Sequence, residues 1–300
     1  MTCRSRRKAL LRVAAIGTIP LVAPSLFSRL LAGPEENDEG IAGRIFRVAK
    51  ERSLRSAAMG EIVIFVARQF LGSRYATGTL EEEGEERLVV NLREFDCVTL
   101  VESTLALSRC IAMGVDTREG FRRELTRIRY RGGVIDGYAS RLHYFSDWIH
   151  DNERKGIVND ETSGLGGAPA EKTIDFMTSR PGNYPRLLNT AVRAAIMAQE
   201  RTISTRQRFS ISKDHLPAVE EKILDGDILG ITTSISGLDI AHTGFALKVD
   251  GRLHSLHTPM TGGVVSVGDR PLADVLHARP TQTGVVVARP VRPDASPEKN

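Results

Sequence analysis

The sequence predicts an α+β fold, with helices first and an antiparallel sheet afterwards. Three observations carry this. Apolar residues recur at helical spacing in the first half, above all over residues 97–113. From residue 227 onward, runs rich in β-branched residues alternate or stay apolar over strand lengths. Between two of those runs stands Asp250-Gly251, a dipeptide that suits a two-residue hairpin turn.

The elements follow in order. Ile41, Ile45 and Val48, then Ile62, Phe65, Val66 and Phe70, give helical stretches between residues 38 and 71. Gly72-Ser73-Arg74-Tyr75 ends them, and Glu81-Glu82-Glu83-Gly84-Glu85-Glu86 reads as a solvated loop. Residues 88–92 are expected as a short strand. Asp96 has the side chain of an N-cap. Behind it, Val98, Val101, Leu105 and Ala112, with Leu100, Thr104, Leu107 and Ile111, give a wide apolar helix face. A second helix is expected over residues 117–128. Residues 151–170 are polar and glycine-rich, so a long loop is expected there. Its Gly164-Leu165-Gly166-Gly167 lacks the following Lys-Ser/Thr and the preceding strand of a phosphate loop. A helix around residues 184–200 comes next, then strands over 227–233, 240–249, 252–258, 264–265 and 284–288. No internal repeat is visible. The expected organisation is one domain over residues 34–290, between a leader (1–33) and a disordered tail (291–300).

Charge excludes one function class. The formal net charge is +4, but residues 1–33 carry Arg4, Arg6, Arg7, Lys8, Arg12 and Arg29 with no acid. Without that segment, 35 basic residues face 37 acidic ones. A nucleic-acid binder needs a basic surface, and the bulk of this chain offers none. The leader has a basic start and an uncharged stretch from residue 13 to 28, the layout of an export signal. Ser5-Arg6-Arg7-Lys8 resembles a twin-arginine signal. Gly17, Pro20 and Pro24 interrupt the apolar run, so no stable membrane span is expected. The expected location is the periplasm or cell envelope.

Cys3 belongs to the leader, which leaves Cys97 and Cys110. On one helix they lie about 20 Å apart, far beyond the roughly 7 Å that a disulfide spans. Unpaired thiols are unusual in an exported protein, which points to one kept for its reactivity. Cys110 lies in an apolar stretch and reads as a core residue. Cys97 follows the N-cap, where helix N–H groups favour a thiolate, so a lowered pKa is expected. Its general base must come from elsewhere; candidates on the sheet are His242, His254 and His257. Cys97 and His242 are 145 residues apart, within the roughly 130–150 typical of papain-like enzymes. His254 and His257 differ by three positions and face opposite sides of a strand, so only one can share the face of His242. That opposition also disfavours a metal site there. The remaining His150, His215 and His277 read as surface or packing residues. Arg141-Leu142-His143-Tyr144-Phe145, with Asp147 and Trp148, reads either as a packed amphipathic helix or as a wall of the substrate site.

Phe95-Asp96-Cys97-Val98-Thr99-Leu100-Val101-Glu102 resembles the nucleophile motif of NlpC-type (papain-like) cell-wall cysteine hydrolases, closest to their N-acetylmuramoyl-L-alanine amidase-like branch. Tyr75-Ala76-Thr77-Gly78-Thr79-Leu80-Glu81, Ser140-Arg141-Leu142-His143-Tyr144-Phe145-Ser146-Asp147-Trp148, Gly237-Leu238-Asp239-Ile240-Ala241-His242-Thr243-Gly244-Phe245-Ala246 and Gly251-Arg252-Leu253-His254-Ser255-Leu256-His257-Thr258 match in the same order. Arg74 departs, standing where that pattern has proline. The resemblance implies a papain-like NlpC-type fold and a monomer without cofactor, acting on muropeptides. It implies Cys97 as nucleophile, His242 as base and His257 as orienting residue, with His254 the other choice. It sets Tyr75 beside the nucleophile, and the wall reading adds substrate contacts from Arg141, His143, Tyr144 and Trp148, with Arg141 or Arg74 on a carboxylate. The implied reaction is hydrolysis of the N-acetylmuramoyl–L-alanine amide through a thioester; a D-glutamyl–diamino-acid endopeptidase and a non-catalytic wall-binding module are the alternatives.

Overall fold

In the computed structural model, residues 36–294 apart from 83 and 260–262 are described. The expected leader and residues 295–300 of the expected tail lie outside them. Helices α1 (Asp38–Glu51), α2 (Met59–Gln69), α3 (Cys97–Met113), α4 (Arg118–Arg129) and α5 (Phe145–Arg154) come first. Between α2 and α3 stand two-residue strands β1 (Arg74–Tyr75) and β2 (Glu94–Phe95). Then follow β3 (Val158–Asp160), β4 (Ala168–Pro169), α6 (Thr190–Thr205), β5 (Phe209–Ser212), α7 (Leu216–Val219) and β6 (Ile228–Thr233). The chain continues as β7 (Ile240–Val249), β8 (Arg252–His257), β9 (Ser266–Val267), α8 (Leu272–His277) and β10 (Gln282–Pro290). The main sheet runs β4-β5-β10-β6-β7-β8-β9, with β3 also on β10, and all these pairings are antiparallel.

Strand alternation splits the core in two. Ile228, Phe245, Leu247, Val286 and Ala288 face one side, where they meet α2 and α3. Leu229, Ile231, Ala246, Leu253, Val285 and Val287 face the other, against Leu216, Leu272 and Leu276. Asp250 and Gly251 both take positive φ (50° and 78°), the backbone a two-residue hairpin with strand-matching twist requires. The register β7–β8 then follows, with Val249 opposite Arg252 and Phe245 opposite Leu256.

Helix α3 is buried on nearly every side, including Glu102 and Arg109. Buried charges survive only when paired: Arg129 Nε meets Glu102 Oε2 at 2.6 Å, and Arg109 Nε meets Glu124 Oε2 at 2.8 Å, both between α3 and α4.

Several expectations need correction. Residues 88–92 form no strand; this stretch serves as partner for side chains, with Arg129 donating to the carbonyl of Val89 and Leu92 N donating to Asp38. The expected loop over 151–170 holds the end of α5, β3 and β4. The helix expected at 184 starts at Thr190, because Pro181 and Pro185 open separate short 3-10 turns and the Asn189 side chain caps Ala191 and Val192 N–H. The strand expected at 264–265 is displaced to β9. Two residues expected in the tail are held by the fold: Val291 N donates to Ile157 O at 2.9 Å, and Arg292 bonds the carbonyls of Ala57 and Arg55.

Candidate active site

Strands β1 and β2 pair in parallel, setting Tyr75 beside Phe95, two residues before Cys97. The chain then enters α3 through a capping box. Asp96 Oδ1 accepts from Val98 N (3.0 Å) and Thr99 N (2.7 Å), and Thr99 Oγ1 accepts from Asp96 N (3.0 Å). Cys97 is therefore fixed as the first helical residue, half-buried and unpaired. Cys110 is buried in the core, as its apolar surroundings implied.

Strand β8 pairs with β7 only from Phe245 onward, which leaves the backbone at His242 and Thr243 open on that side. The start of α3 fills the gap. Thr243 Oγ1 donates to Cys97 O at 2.8 Å. Burial and then the Asp96 carboxylate push the Cys97 thiol up to about 11. This reverses the lowered pKa expected at a helix start: burial is the main cause, and the residue that caps the helix adds a negative charge beside the sulfur.

His242 Nε2 lies 2.7 Å from His257 Nδ1, with the rings edge-on at 81°. The Nδ1 of His242 is buried and has no hydrogen-bond partner among the described residues. Burial, then His257 and Arg279, push His242 down to about 3; burial and Arg279 also lower His257. Both rings are therefore neutral at pH 7, and His242 Nε2–H can donate to His257 while Nδ1 keeps its lone pair. His254 is buried on the opposite side of β8, where Nδ1–H donates to Gly268 O at 2.8 Å.

Tyr75 joins this group. Its phenol is pushed up by burial, then by the proximity of Cys97 and Asp96, so it stays protonated and able to donate. The other expected substrate contacts have partners within the protein. Arg141 is only 5% exposed, committed to Glu81 at 2.7 Å and Glu86 at 3.4 Å. Tyr144 is buried, donating to Glu200 at 2.6 Å and accepting from Met177 N at 2.8 Å. Trp148 is fully buried and stacked on Phe145. His143 packs on Tyr138 and donates to its carbonyl at 2.9 Å; burial pushes its pKa down to about 3. Helix α5 begins only at Phe145, so residues 141–144 precede it, and Arg141, Tyr144 and Trp148 are buried against protein partners. Sequence reasoning missed Thr243, although its place after His242 in a strand points it to the opposite, helix-bearing face. Among the described residues, no cluster of His, Cys, Asp or Glu has the makings of a metal site. No described helix is long and apolar enough to cross a membrane.

The chain matches the AmiA-like family, described as N-acetylmuramoyl-L-alanine amidase-like, over residues 65–285. It is similar to the crystal structure of an N-acetylmuramoyl-L-alanine amidase from Bacteroides uniformis: 36% identity, TM-score 0.74, covering 78% of this chain and 99% of that one. A structure from Bacteroides fragilis that carries a xylanase name is 37% identical, with TM-score 0.71 and coverage of 75% and 98%. A Legionella pneumophila protein shares the fold, at 20% identity and TM-score 0.63 over 85% of this chain and 97% of that one. A comparison with curated protein sequences found no match. Together these findings make the chain a member of the AmiA-like, N-acetylmuramoyl-L-alanine amidase-like family, and so an amidase-like cell-wall hydrolase.

Proposed function

We propose that this protein is a cysteine amidase of papain-like NlpC type that hydrolyses the N-acetylmuramoyl–L-alanine amide of muropeptides through a thioester. One observation carries the reading. His242 holds a buried, unpartnered Nδ1 while Nε2 is engaged by His257, and the next residue, Thr243, grips Cys97. An imidazole fixed in this way is prepared to take a proton from a neighbouring thiol.

With both groups neutral at rest, attack and proton transfer are concerted. The thiol proton passes to His242 Nδ1 as sulfur bonds to the lactyl carbonyl carbon. The oxyanion meets the N–H of Cys97 and the hydroxyl of Tyr75. Imidazolium then returns the proton to the departing nitrogen of L-alanine, leaving a thioester. A water gives its proton to Nδ1, attacks the thioester and releases the acid and the thiol. His257 accepts from His242 throughout, holding tautomer and ring plane.

A xylan-cutting reading requires two carboxylates flanking the bond. The acid beside Cys97, Asp96, is occupied in capping α3, and the phenol of Tyr75 lies near it. We extend the proposal to a monomer exported to the periplasm or cell envelope, on the basic start and uncharged run of residues 1–33.

The test is mass spectrometry of defined muropeptides incubated with the wild type and Cys97→Ala. Free stem peptide beginning with L-alanine, absent with the variant, supports the reading. Cleavage after D-glutamate, or full activity in Cys97→Ala, overturns it.

A further inference from the structure

Beyond the thiol and imidazoles, one cation near the site has no side-chain partner among the described residues. His242 shares a face of β7 with Gly244 and Ala246, and His257 sits opposite Gly244: a Cβ built on Gly244 would lie 2.8 Å from that of His257. Ala246 on this face belongs to the apolar cluster that includes Leu272, Ala273 and Leu276 of α8, and α8 contacts the neighbouring β8 and β10. Helix α8 therefore covers the face that bears the two histidines. Arg279 follows α8 by two residues and precedes β10, where Gln282 pairs with Thr233. Thr233 is two residues beyond Ile231, the partner of His242 in β6. So Arg279 shares both the face and the sheet end with the imidazole pair. A turn holds its backbone, with Arg279 N donating to Leu276 O (3.2 Å) and Gln282 N donating to Arg279 O (3.0 Å).

The side chain is exposed and makes no hydrogen bond or ion pair among the described residues. Its charge lowers the pKa of both His242 and His257. An uncompensated guanidinium beside neutral bases attracts an anion, and its fork matches a carboxylate.

We propose that Arg279 reads the leaving side of the substrate by binding the free α-carboxylate of the stem peptide's second residue, a D-glutamate linked through its side chain. The inference rests on the amidase reading. On the leaving side of the scissile amide, L-alanine carries no charge. The α-carboxylate of the next residue is the first anion, roughly 7 Å on, about two Cα steps. That distance lies within reach of an arginine rooted beside the base. The arginines expected for this role are engaged elsewhere: Arg141 in the core, and Arg74 on Glu94 at 3.3 Å.

The experiment compares two muropeptides differing only in that group, one with D-glutamate and one with its α-amide, on the wild type, Arg279→Ala and Arg279→Lys. The wild type should prefer the acid. Arg279→Ala should lose roughly ten- to a hundredfold in kcat/KM on the acid, mostly through KM, as for a lost charge-assisted hydrogen bond. On the amide it should change by less than about threefold, a difference under 1 kcal/mol. Arg279→Lys should recover part of the loss on the acid, since it keeps the charge without the fork. Equal losses on both substrates, or a shifted pH profile with the acid preference intact, would make Arg279 a modulator of the histidines and overturn the proposal. If the wild type frees stem peptide from neither substrate, the amidase reading falls and takes this inference with it.

Discussion

Thr243 Oγ1 donates a 2.8 Å hydrogen bond to the carbonyl of Cys97, joining the first residue of α3 to the residue that follows His242. Helix start and strand are thereby locked in register where the thiol must face the imidazole. Thr243→Val keeps the shape and removes the donor. It should cost about 1 kcal/mol of stability and at least roughly tenfold in kcat, because a small displacement of a nucleophile is expensive. Thr243→Ser should retain most of both. Urea unfolding and steady-state kinetics read the two effects separately, and unchanged kcat in Thr243→Val would refute the positioning role.

His257 and His254 make opposite predictions. His257→Ala removes the acceptor for His242 Nε2 and should lower kcat by roughly a hundredfold or more, as loss of an orienting group does. His254→Ala removes a buried bond to Gly268 and should lower stability while leaving kcat of the folded fraction intact. Thermal melts beside kinetics distinguish them.

Thiol reactivity should depend on pH as that of an ordinary thiol does, shifted upward. A Cys97 pKa pushed up to about 11 leaves the thiol protonated at pH 7, and its thiolate fraction grows about tenfold per pH unit. Iodoacetamide labelling of Cys97 should rise steadily from pH 6 to 9. A plateau across that range would reveal a preformed thiolate–imidazolium pair instead. Cys110, buried and pushed up to about 12, should label more slowly throughout.

His143 links stability to pH. Its folded pKa is depressed to about 3 from an ordinary 6.5, so below pH 6.5 the unfolded chain binds a proton that the folded one refuses. Stability is whole above pH 6.5 and falls as pH drops toward 3, by up to about 1.4 kcal/mol per unit. Urea midpoints at pH 7 and 5 should differ less in His143→Gln, whose amide can still donate to Tyr138 O; an equal difference would contradict this assignment.

Arg141 is structural. Its removal leaves the buried Glu86 carboxylate with Tyr130 Oη but no paired cation among the described residues, so Arg141→Ala should destabilise the fold by about 3 kcal/mol. KM should stay unchanged for the protein that remains folded. A raised KM with unaltered stability would restore Arg141 to the substrate site.

Much of this was legible in the sequence, for physical reasons. A capped helix start and an Asp-Gly turn are local signals, which is why Asp96, α3 and the β7–β8 hairpin stand where expected. Strand parity separated His254 from His257 before any coordinates. What stayed hidden depends on distant partners. The partners of Arg141 and Tyr144 are Glu81 and Glu200, which lie 60 and 56 residues away and leave no local trace beside them. The same holds for the thiol: its raised pKa follows from burial, which a helix-start argument leaves out.

The hairpin turn at Asp250-Gly251 also bears on the order in which the reactive centre comes together. His242 and His257 sit on adjacent strands only 15 residues apart, so their contact has low contact order and can form as soon as the hairpin does. The link from Cys97 to Thr243 spans 146 residues and waits for the helical half to dock. A chain still folding thus holds a paired base without a nucleophile. Partial opening of the native protein, by heat or denaturant, should extinguish turnover before it separates the two imidazoles.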